Sequence, residues 1–107
     1  IRDWVSGRTR GIVVLGEQDG AVELVDMVGP LEAMPLLIRE SLRLARLQGK
    51  ERLYCWACSQ YAGFFEAAGG TAAPLDVEVP TSAWTPGPAV EGMTGKWWLM
   101  SGDTDFR

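Results

Sequence analysis

Residues 21 to 57 read AVELVDMVGPLEAMPLLIRESLRLARLQGKERLYCWA, and this stretch decides the fold. A β-rich run comes first, a helical pattern follows, and a second β-rich run ends the stretch. In the first run, Val22 and Leu24 alternate with Glu23 before the pattern becomes mixed, which predicts a strand buried on at least one face. Two strands joined by a helix in this way lie parallel and need a right-handed crossover.

The helical pattern between the two runs has one apolar stripe. It comprises Met34, Ile38, Leu42 and Ala45, with Leu37 beside them, and the arginines Arg39, Arg43 and Arg46 lie opposite. Proline is tolerated only in the first turn of a helix, so Pro30 and Pro35 favour a start between them, and Gly49 favours the end. We predict a helix over residues 33 to 48 that packs across both strands through Ile38, Leu42 and Ala45.

The rest of the chain adds a hairpin, a second helix and further strands. Residues 11 to 17 are β-rich, and Gln18-Asp19-Gly20 joins them to residues 21 to 28 through a hairpin signal. We expect residues 53 to 57 as a central strand and Ser59 as the N-cap of a helix over residues 60 to 68. Strands are also predicted at residues 75 to 80 and 96 to 100, with a loop over 85 to 95. The predicted class is α+β: a mixed β-sheet with a hairpin, a strand-helix-strand unit and two main helices.

Length and composition exclude several classes of function. The chain has 107 residues, of which 47% are hydrophobic, and this is enough for one globular domain. Its net charge of −4 offers no basic surface to nucleic acid, and no apolar stretch approaches the roughly 18 residues that span a bilayer, so neither partner is expected. The absence of histidine excludes Ser-His-Asp and Cys-His catalysis within these residues. Two cysteines are too few for a secreted disulfide scaffold, so we expect a cytoplasmic protein.

Cys55 and Cys58 form the motif Cys-Trp-Ala-Cys. A structural zinc site needs four ligands, and the chain has no further cysteine or histidine to complete one. A dithiol redox centre stays open, because Cys58 precedes a helix start, where the helix dipole lowers the pKa of a thiol. The competing interpretation places both cysteines in the core as small apolar residues. We predict that they are not a catalytic pair and that their thiols titrate near or above the free value of about 8.5.

The C-terminal tail carries another candidate motif. Asp103 and Asp105 make an Asp-x-Asp pattern, by which some sugar-nucleotide transferases hold a divalent metal. Acidic residues in a polar tail more often form turns or face solvent, so no metal site is expected. Trp97 and Trp98, which precede the tail, are expected in the core or at an interface.

Three stretches of the chain carry a family resemblance: VVLGEQDGAVELVDMVG, AMPLLIRESLRLARLQG and RLYCWACSQYAGFFEAAGG. Together with the closing KWWLMSGDTDFR, they resemble the C-terminal half of the acyl-CoA N-acyltransferases of the GNAT superfamily, in particular divergent acyltransferase-like proteins of polysaccharide gene clusters. The resemblance implies that residues 1 to 107 form a single GNAT-like domain that lacks the N-terminal part of the fold. It also implies transfer of an acyl group from acetyl-CoA or another acyl-CoA to an amine.

The same resemblance implies where the substrates bind. Acyl-CoA would lie in the splay between residues 25 to 28 and 54 to 56, with its pyrophosphate on the turn before the long helix. The residues expected to bind it are Met27, Val28, Leu31, Glu32, Ala33, Met34 and Arg39. A backbone amide near Met27 would polarise the thioester carbonyl, and Glu23 or Asp26 would act as the base. The family's tyrosine acid aligns with Phe65, so Tyr61, one turn earlier, is the candidate in its place.

Two alternatives stand beside the acyltransferase. The family's glycine-rich turn matches this sequence only at Ala33, so the fold is also consistent with a non-catalytic GNAT-like binding or assembly module, with Trp84, Trp97 and Trp98 at a partner interface. A dithiol redox domain is the third interpretation. For the acyltransferase, the expected acceptor is a small-molecule amine or an amino sugar. A second copy of the chain or the remainder of a longer protein is the further partner that we expect.

Overall fold

The fold is known from a computed structural model of the chain, which describes residues 1–2, 5–18, 20–77, 87, 89–93 and 95–103. Within these ranges the elements, in chain order, are β1 (Ile12–Gln18), β2 (Ala21–Val28), α1 (Met34–Leu47), β3 (Arg52–Tyr54), α2 (Ala62–Glu66) and α3 (Val90–Met93). The strands form a mixed sheet in the order β1-β2-β3, and α1 and α2 are the two main helices. The predicted α+β class with a mixed sheet is therefore confirmed.

β1 and β2 form the predicted antiparallel hairpin, in which Gln18 lies opposite Ala21. Gly20 in the connection has a φ of 72°, a left-handed conformation that glycine adopts without a steric cost. The neighbouring Asp19 of the predicted turn lies outside the described residues. The hairpin places β2 in the middle of the sheet.

A bulge in β2 sets which of its side chains enter the core. The register between β1 and β2 shifts by one residue at Val25, which therefore lacks a cross-strand partner on β1. Because the bulge shifts the alternation of β2, Leu24 and Met27 both belong to the buried core although they are three residues apart. The mixed pattern in the second half of this run thus has a structural cause.

The ends of α1 follow from proline and glycine. The helix begins at Met34, and Pro35 occupies its first turn, where a missing amide removes no hydrogen bond within the helix. At the other end Gly49 has a φ of 70°, and the amide of Lys50 donates back to the carbonyl of Ala45 at 3.0 Å. This glycine-terminated arrangement is a Schellman motif, and the predicted bounds of the helix are confirmed to within a residue.

The buried face of α1 is centred slightly differently from the prediction. Its buried residues are Met34, Leu37, Ile38, Ser41 and Ala45. Ile38 and Ala45 are confirmed in the core, but Leu42 is only half-buried at the edge of this face. The position next to it is taken by Ser41, whose hydroxyl donates to the carbonyl of Leu37 at 2.9 Å and so needs no partner outside the helix.

β3 is parallel to β2, as predicted, but it is shorter than expected and lies at an edge of the sheet. Its pairs with β2 run from Ala21–Arg52 to Glu23–Tyr54, and β2 is the central strand of the described sheet. The predicted central strand over residues 53 to 57 is therefore wrong. The chain leaves β2 after Tyr54, and Ala57 makes an isolated antiparallel bridge with Met100 instead.

The second half of the chain is less regular than predicted. A 3₁₀ turn, Ser59–Tyr61, precedes α2, which ends at Glu66, and no side-chain hydrogen bond caps either, so Ser59 is not the N-cap. Residues 75 to 77 are exposed and form no strand, and residues 78 to 80 lie outside the described part. Residues 96 to 99 form no strand either; the carbonyls of Trp97 and Leu99 instead accept hydrogen bonds from the side chains of Gln60 and Cys58.

The predicted loop over residues 85 to 95 contains the short helix α3. Its turn is closed by the amide of Gly92, which donates to the carbonyl of Ala89 at 2.9 Å. In the described ranges, no helix has the length and apolar content needed to cross a membrane.

Candidate functional site

The candidate site is a gap between β2 and the chain that follows β3. The parallel ladder ends at the pair Glu23–Tyr54, whereas β2 continues to Val28. Residues 24 to 28 of β2 therefore have no pairing with β3 in the described structure. We call the space between these residues and residues 55 to 57 the β2–β3 gap. The resemblance places the splay that receives acyl-CoA at this position.

The chain's own C-terminal segment fills this gap. Met100 bridges to Ala57 on one side, and the hydroxyl of Ser101 donates to the carbonyl of Val25 on the other at 3.4 Å. Met100 and Ser101 are only 2% and 1% exposed. We call Met100 together with the 3₁₀ turn Ser101–Asp103 the wedge.

Asp103 closes the wedge into a turn. Its carboxylate accepts the amide of Met100 at 2.9 Å, and its own amide donates to the carbonyl of Met100 at 3.0 Å. This role agrees with the expectation that Asp103 forms a turn. Asp105, the other half of the Asp-x-Asp pattern, lies outside the described residues, and no cluster of potential metal ligands occurs among the residues that are described.

The two candidate bases lie on β2 beside the gap. Glu23, only 6% exposed, stands at the last pair of the ladder with β3 and opposite Gly16 on β1. Asp26 is half-buried, and its carboxylate accepts the amide of Met27 at 2.7 Å. The amide expected to polarise a thioester is therefore already bonded to one of the candidate bases. The structure brings Glu23, Asp26 and Met27 together on one strand.

Cys55 lies next to this group, directly after β3. Burial, and to a smaller extent the nearby Glu23 carboxylate, raises the pKa of its thiol to about 11. The thiol of Cys58 donates instead to the carbonyl of Leu99 at 3.8 Å, and both cysteines are free. A raised pKa at Cys55 agrees with the prediction for that thiol and disfavours its use as a nucleophile.

The turn before α1 offers fewer free amides than expected. In the 3₁₀ turn Leu31–Ala33, the amide of Ala33 donates to the carbonyl of Pro30 at 2.8 Å. The amide of Met34 donates to the carbonyl of Leu31. Two of the four amides expected to hold a pyrophosphate are thus engaged within the turn, while the side chains of Leu31 and Glu32 are exposed on it. Val28, at the end of β2, is also exposed.

Arg39 lies with the other arginines of α1 rather than with the turn residues. It lines an open depression of about 590 Å³ together with Arg43, Arg46, Leu42 and Ala68. Arg43 is paired with Glu40, whose carboxylate lies 2.7 Å from its guanidinium. The arginine face predicted on α1 is therefore present, and it is partly neutralised.

Tyr61 belongs to an aromatic cluster at the start of α2. Its ring centroid lies 4.5 Å from that of Trp98 and 6.4 Å from that of Phe64, and all three side chains are half-buried. Phe65, which the resemblance aligns with the family's tyrosine acid, packs against the core. These contacts give Tyr61 a packing role.

The wedge is the part of the site that the sequence did not predict. The composition of Ser101, Gly102 and Asp103 predicts a turn in a polar tail. The turn is present, but its contact with Val25 joins residues 76 positions apart. No local pattern carries such a contact.

Comparison of the chain with protein-family models, with curated proteins and with solved structures finds no match. The function therefore has to be inferred from the chain's own geometry.

Proposed function

We propose that the chain is an acyl-CoA-dependent N-acyltransferase-like domain, which transfers an acyl group from acetyl-CoA or another acyl-CoA to a small-molecule amine or amino sugar. The observation that carries the proposal is that the parallel strands β2 and β3 separate after the pair Glu23–Tyr54. β2 is also the strand that leads into α1. Once the wedge leaves the edge of β2 beyond Glu23, an extended ligand can bond to it, and the amino end of α1 follows within a few residues. This is the layout that the resemblance implies.

The chemistry proposed for the gap is direct transfer. The amine nitrogen attacks the thioester carbon, the carbon–nitrogen bond forms, and the carbon–sulfur bond breaks. Asp26 accepts the proton of the amine and returns it, through water, to the departing CoA thiolate, which leaves as the thiol. The Met27 amide now donates to the Asp26 carboxylate at 2.7 Å. When this carboxylate turns towards the amine, the hydrogen bond breaks and the Met27 amide donates to the thioester oxygen instead. Glu23, which pairs with Tyr54 of β3, is the second candidate base.

Weak affinity for CoA is part of the proposal. The exposed side chains of Leu31 and Glu32 crowd the turn where the family has glycine, and the Glu32 carboxylate repels phosphate. Only two amides of the turn stay available for the pyrophosphate, because those of Ala33 and Met34 donate within it. The positive end of the α1 dipole attracts the phosphates and so partly offsets the crowding, the repulsion by Glu32 and the loss of two amides.

Replacement of Glu32 tests the location of the phosphates. Glu32→Gln should tighten the binding of acetyl-CoA measured by calorimetry, by about twofold to fivefold at low salt and by less at high salt, because screening weakens the repulsion. Glu51→Gln, which makes the same charge change beyond the opposite end of α1, is the matched control and should have a smaller effect. Equal effects of both variants would point to net charge and contradict a phosphate site at Glu32.

A non-catalytic binding or assembly module is the second candidate, and the filled gap is the observation that favours it. If the wedge never leaves β2, no acyl group can enter. Trp97 is half exposed and supplies part of the partner surface in that case, while Trp84 lies outside the described residues. Acetyl-CoA binding in the calorimeter separates the two candidates, since the module has no site for it.

A further inference from the structure

The exposed side of α1 carries a feature that the proposed function does not use. Residues of this helix and of the turn after α2 line the open depression of about 590 Å³, namely Arg39, Glu40, Leu42, Arg43, Arg46 and Ala68. We call this depression the arginine groove. Because the chain as a whole has a net charge of −4, three guanidinium groups on one helix concentrate positive charge on an otherwise acidic protein.

The positive charge of the arginine groove is only partly neutralised within the chain. Arg43 is paired with Glu40 at 2.7 Å, across the i, i+3 spacing of one helical turn. Arg39 and Arg46 are exposed, and among the described residues neither guanidinium group has an ion pair or a hydrogen-bond acceptor. Both groups are therefore available to a negatively charged partner.

The spacing of the side chains along α1 selects the kind of anion. Arg39, Leu42 and Arg46 follow one another at intervals of three and four residues, so they lie on one side of the helix, with the arginines about 10 Å apart along its axis. A second helix with acidic residues seven apart and an apolar residue midway presents the complementary groups at the same intervals. A free phosphate offers charge alone and leaves Leu42 and Ala68 uncovered.

We propose that the arginine groove is a docking surface for an acidic amphipathic helix of a partner protein. Carboxylates of that helix pair with Arg39 and Arg46, and its apolar residue packs against Leu42 and Ala68. Ion pairs at exposed positions are individually weak, so the docking is transient and weakens with salt. This inference goes beyond the proposed function and does not depend on it, because the groove shares no residue with the β2–β3 gap or the wedge.

Peptides supply the probes for this surface. The first is an alanine-based helical peptide of about 16 residues, long enough to keep its helix in water, with two glutamates seven residues apart and leucine midway. A second peptide has glutamine in place of both glutamates, and a third has alanine in place of leucine. The first comparison isolates the charge, and the second isolates the apolar contact.

On the protein, two variants each remove one guanidinium group from the groove. Arg39→Gln and Arg46→Gln change exposed positions at which folding does not depend on the side chain. Arg10→Gln makes the same charge change at an exposed position outside the groove and is the matched control. Peptide binding is measured by amide NMR titration, read at residues 39 to 46 and at Ala68, and acetyl-CoA binding to the same proteins is measured by calorimetry.

We expect the glutamate peptide to move these signals and the other two peptides to bind more weakly. Arg39→Gln and Arg46→Gln should each weaken the glutamate peptide by about twofold to fivefold, the factor that one exposed ion pair allows, and Arg10→Gln should have a smaller effect. Equal effects of all three variants, or equal binding of the glutamate and glutamine peptides, would contradict the docking surface and leave the proposed function untouched.

Two competitors complete the test at constant ionic strength. If inorganic phosphate displaces the peptide, the groove is a general anion site, and the inference is wrong. If acetyl-CoA displaces it, the arginines serve the phosphates of CoA, and the inference is wrong while the proposed function gains support. Failure of acetyl-CoA to bind any of these proteins would contradict the proposed function alone.

Discussion

Burial of the Cys55 thiol makes the protein sensitive to alkaline pH. The fold raises the pKa of this thiol from 9.0 to about 11, so between these values the unfolded chain ionises at Cys55 and the folded chain does not. The folded state therefore loses stability as the pH rises through this window, and no such loss from Cys55 occurs below it. Denaturation by urea at pH 8 and pH 10.5 should show a smaller loss of stability for Cys55→Ala than for the wild type. An equal loss in both proteins would contradict the burial of this thiol.

Two glycines should respond to alanine in opposite directions. At Gly11 a Cβ would lie 2.6 Å from a methyl carbon of Leu37 and 2.8 Å from the Val28 carbonyl, so Gly11→Ala should destabilise the protein by about 1–3 kcal/mol. At Gly63 in α2 a Cβ would meet nothing within 4 Å, so Gly63→Ala should stabilise it by about 0.5 kcal/mol. Urea denaturation measures both changes. A neutral Gly11→Ala would mean that β1 does not approach α1 in this way.

The packing of α1 on the sheet gives a prediction about the helix. Leu37 is fully buried and Leu42 is half-buried, so the two leucines provide a matched pair on one helix. Leu37→Ala should reduce the free energy of unfolding by about 2–5 kcal/mol, and Leu42→Ala by about 1–2 kcal/mol. Equal losses, or a larger loss at Leu42, would show that α1 packs through Leu42, as the sequence predicts, and would contradict the observed packing.

The hairpin and α1 were predictable from the sequence because local interactions specify them. Proline in the first turn and Gly49 after the last turn bound the helix, and a glycine turn joins the two strands. The length of β3 was not predictable in the same way, since β3 ends where the chain leaves β2 although β2 continues to Val28. Residues 96 to 100 show the same limit, because Met100 bridges to Ala57 as a single residue.

In the candidate site, too, the sequence predicts what lies on one element but not the contacts between separate elements. The sequence predicts Glu23, Asp26 and Met27 on one strand, and residues of one short strand stay near one another in any fold that contains the strand. The surroundings of Arg39 and Tyr61 depend on which elements pack beside them, and the sequence does not specify that packing. The position of the wedge was the least predictable part of the site, since its contact with β2 joins residues that are far apart in the sequence.

The outer edge of β1 has backbone groups that a second copy of the chain could pair with, and we therefore expect self-association. Beyond the short pairing of Ile1 with Gly11, the described structure places no strand along this edge, and β1 has neither lysine nor proline to protect it. We expect sedimentation to show a dimer at high concentration that Val14→Lys, at a position 46% exposed on β1, dissociates. Val28→Lys, at a position 57% exposed on the central strand, is the control and should leave the dimer intact. Equal effects would place the contact on the sheet face, and a monomer throughout would contradict pairing through β1.

The most direct test of the account is the amide NMR spectrum of the chain titrated with CoA. The proposed function predicts that the signals of residues 31 to 37, apart from Pro35, and of residues 25 to 27 move together and saturate with one dissociation constant. The first set reports the phosphates at the amino end of α1, and the second reports the arm of CoA in the β2–β3 gap. If these signals stay unmoved at millimolar CoA, the chain does not bind acyl-CoA at this site, and the acyltransferase proposal is wrong.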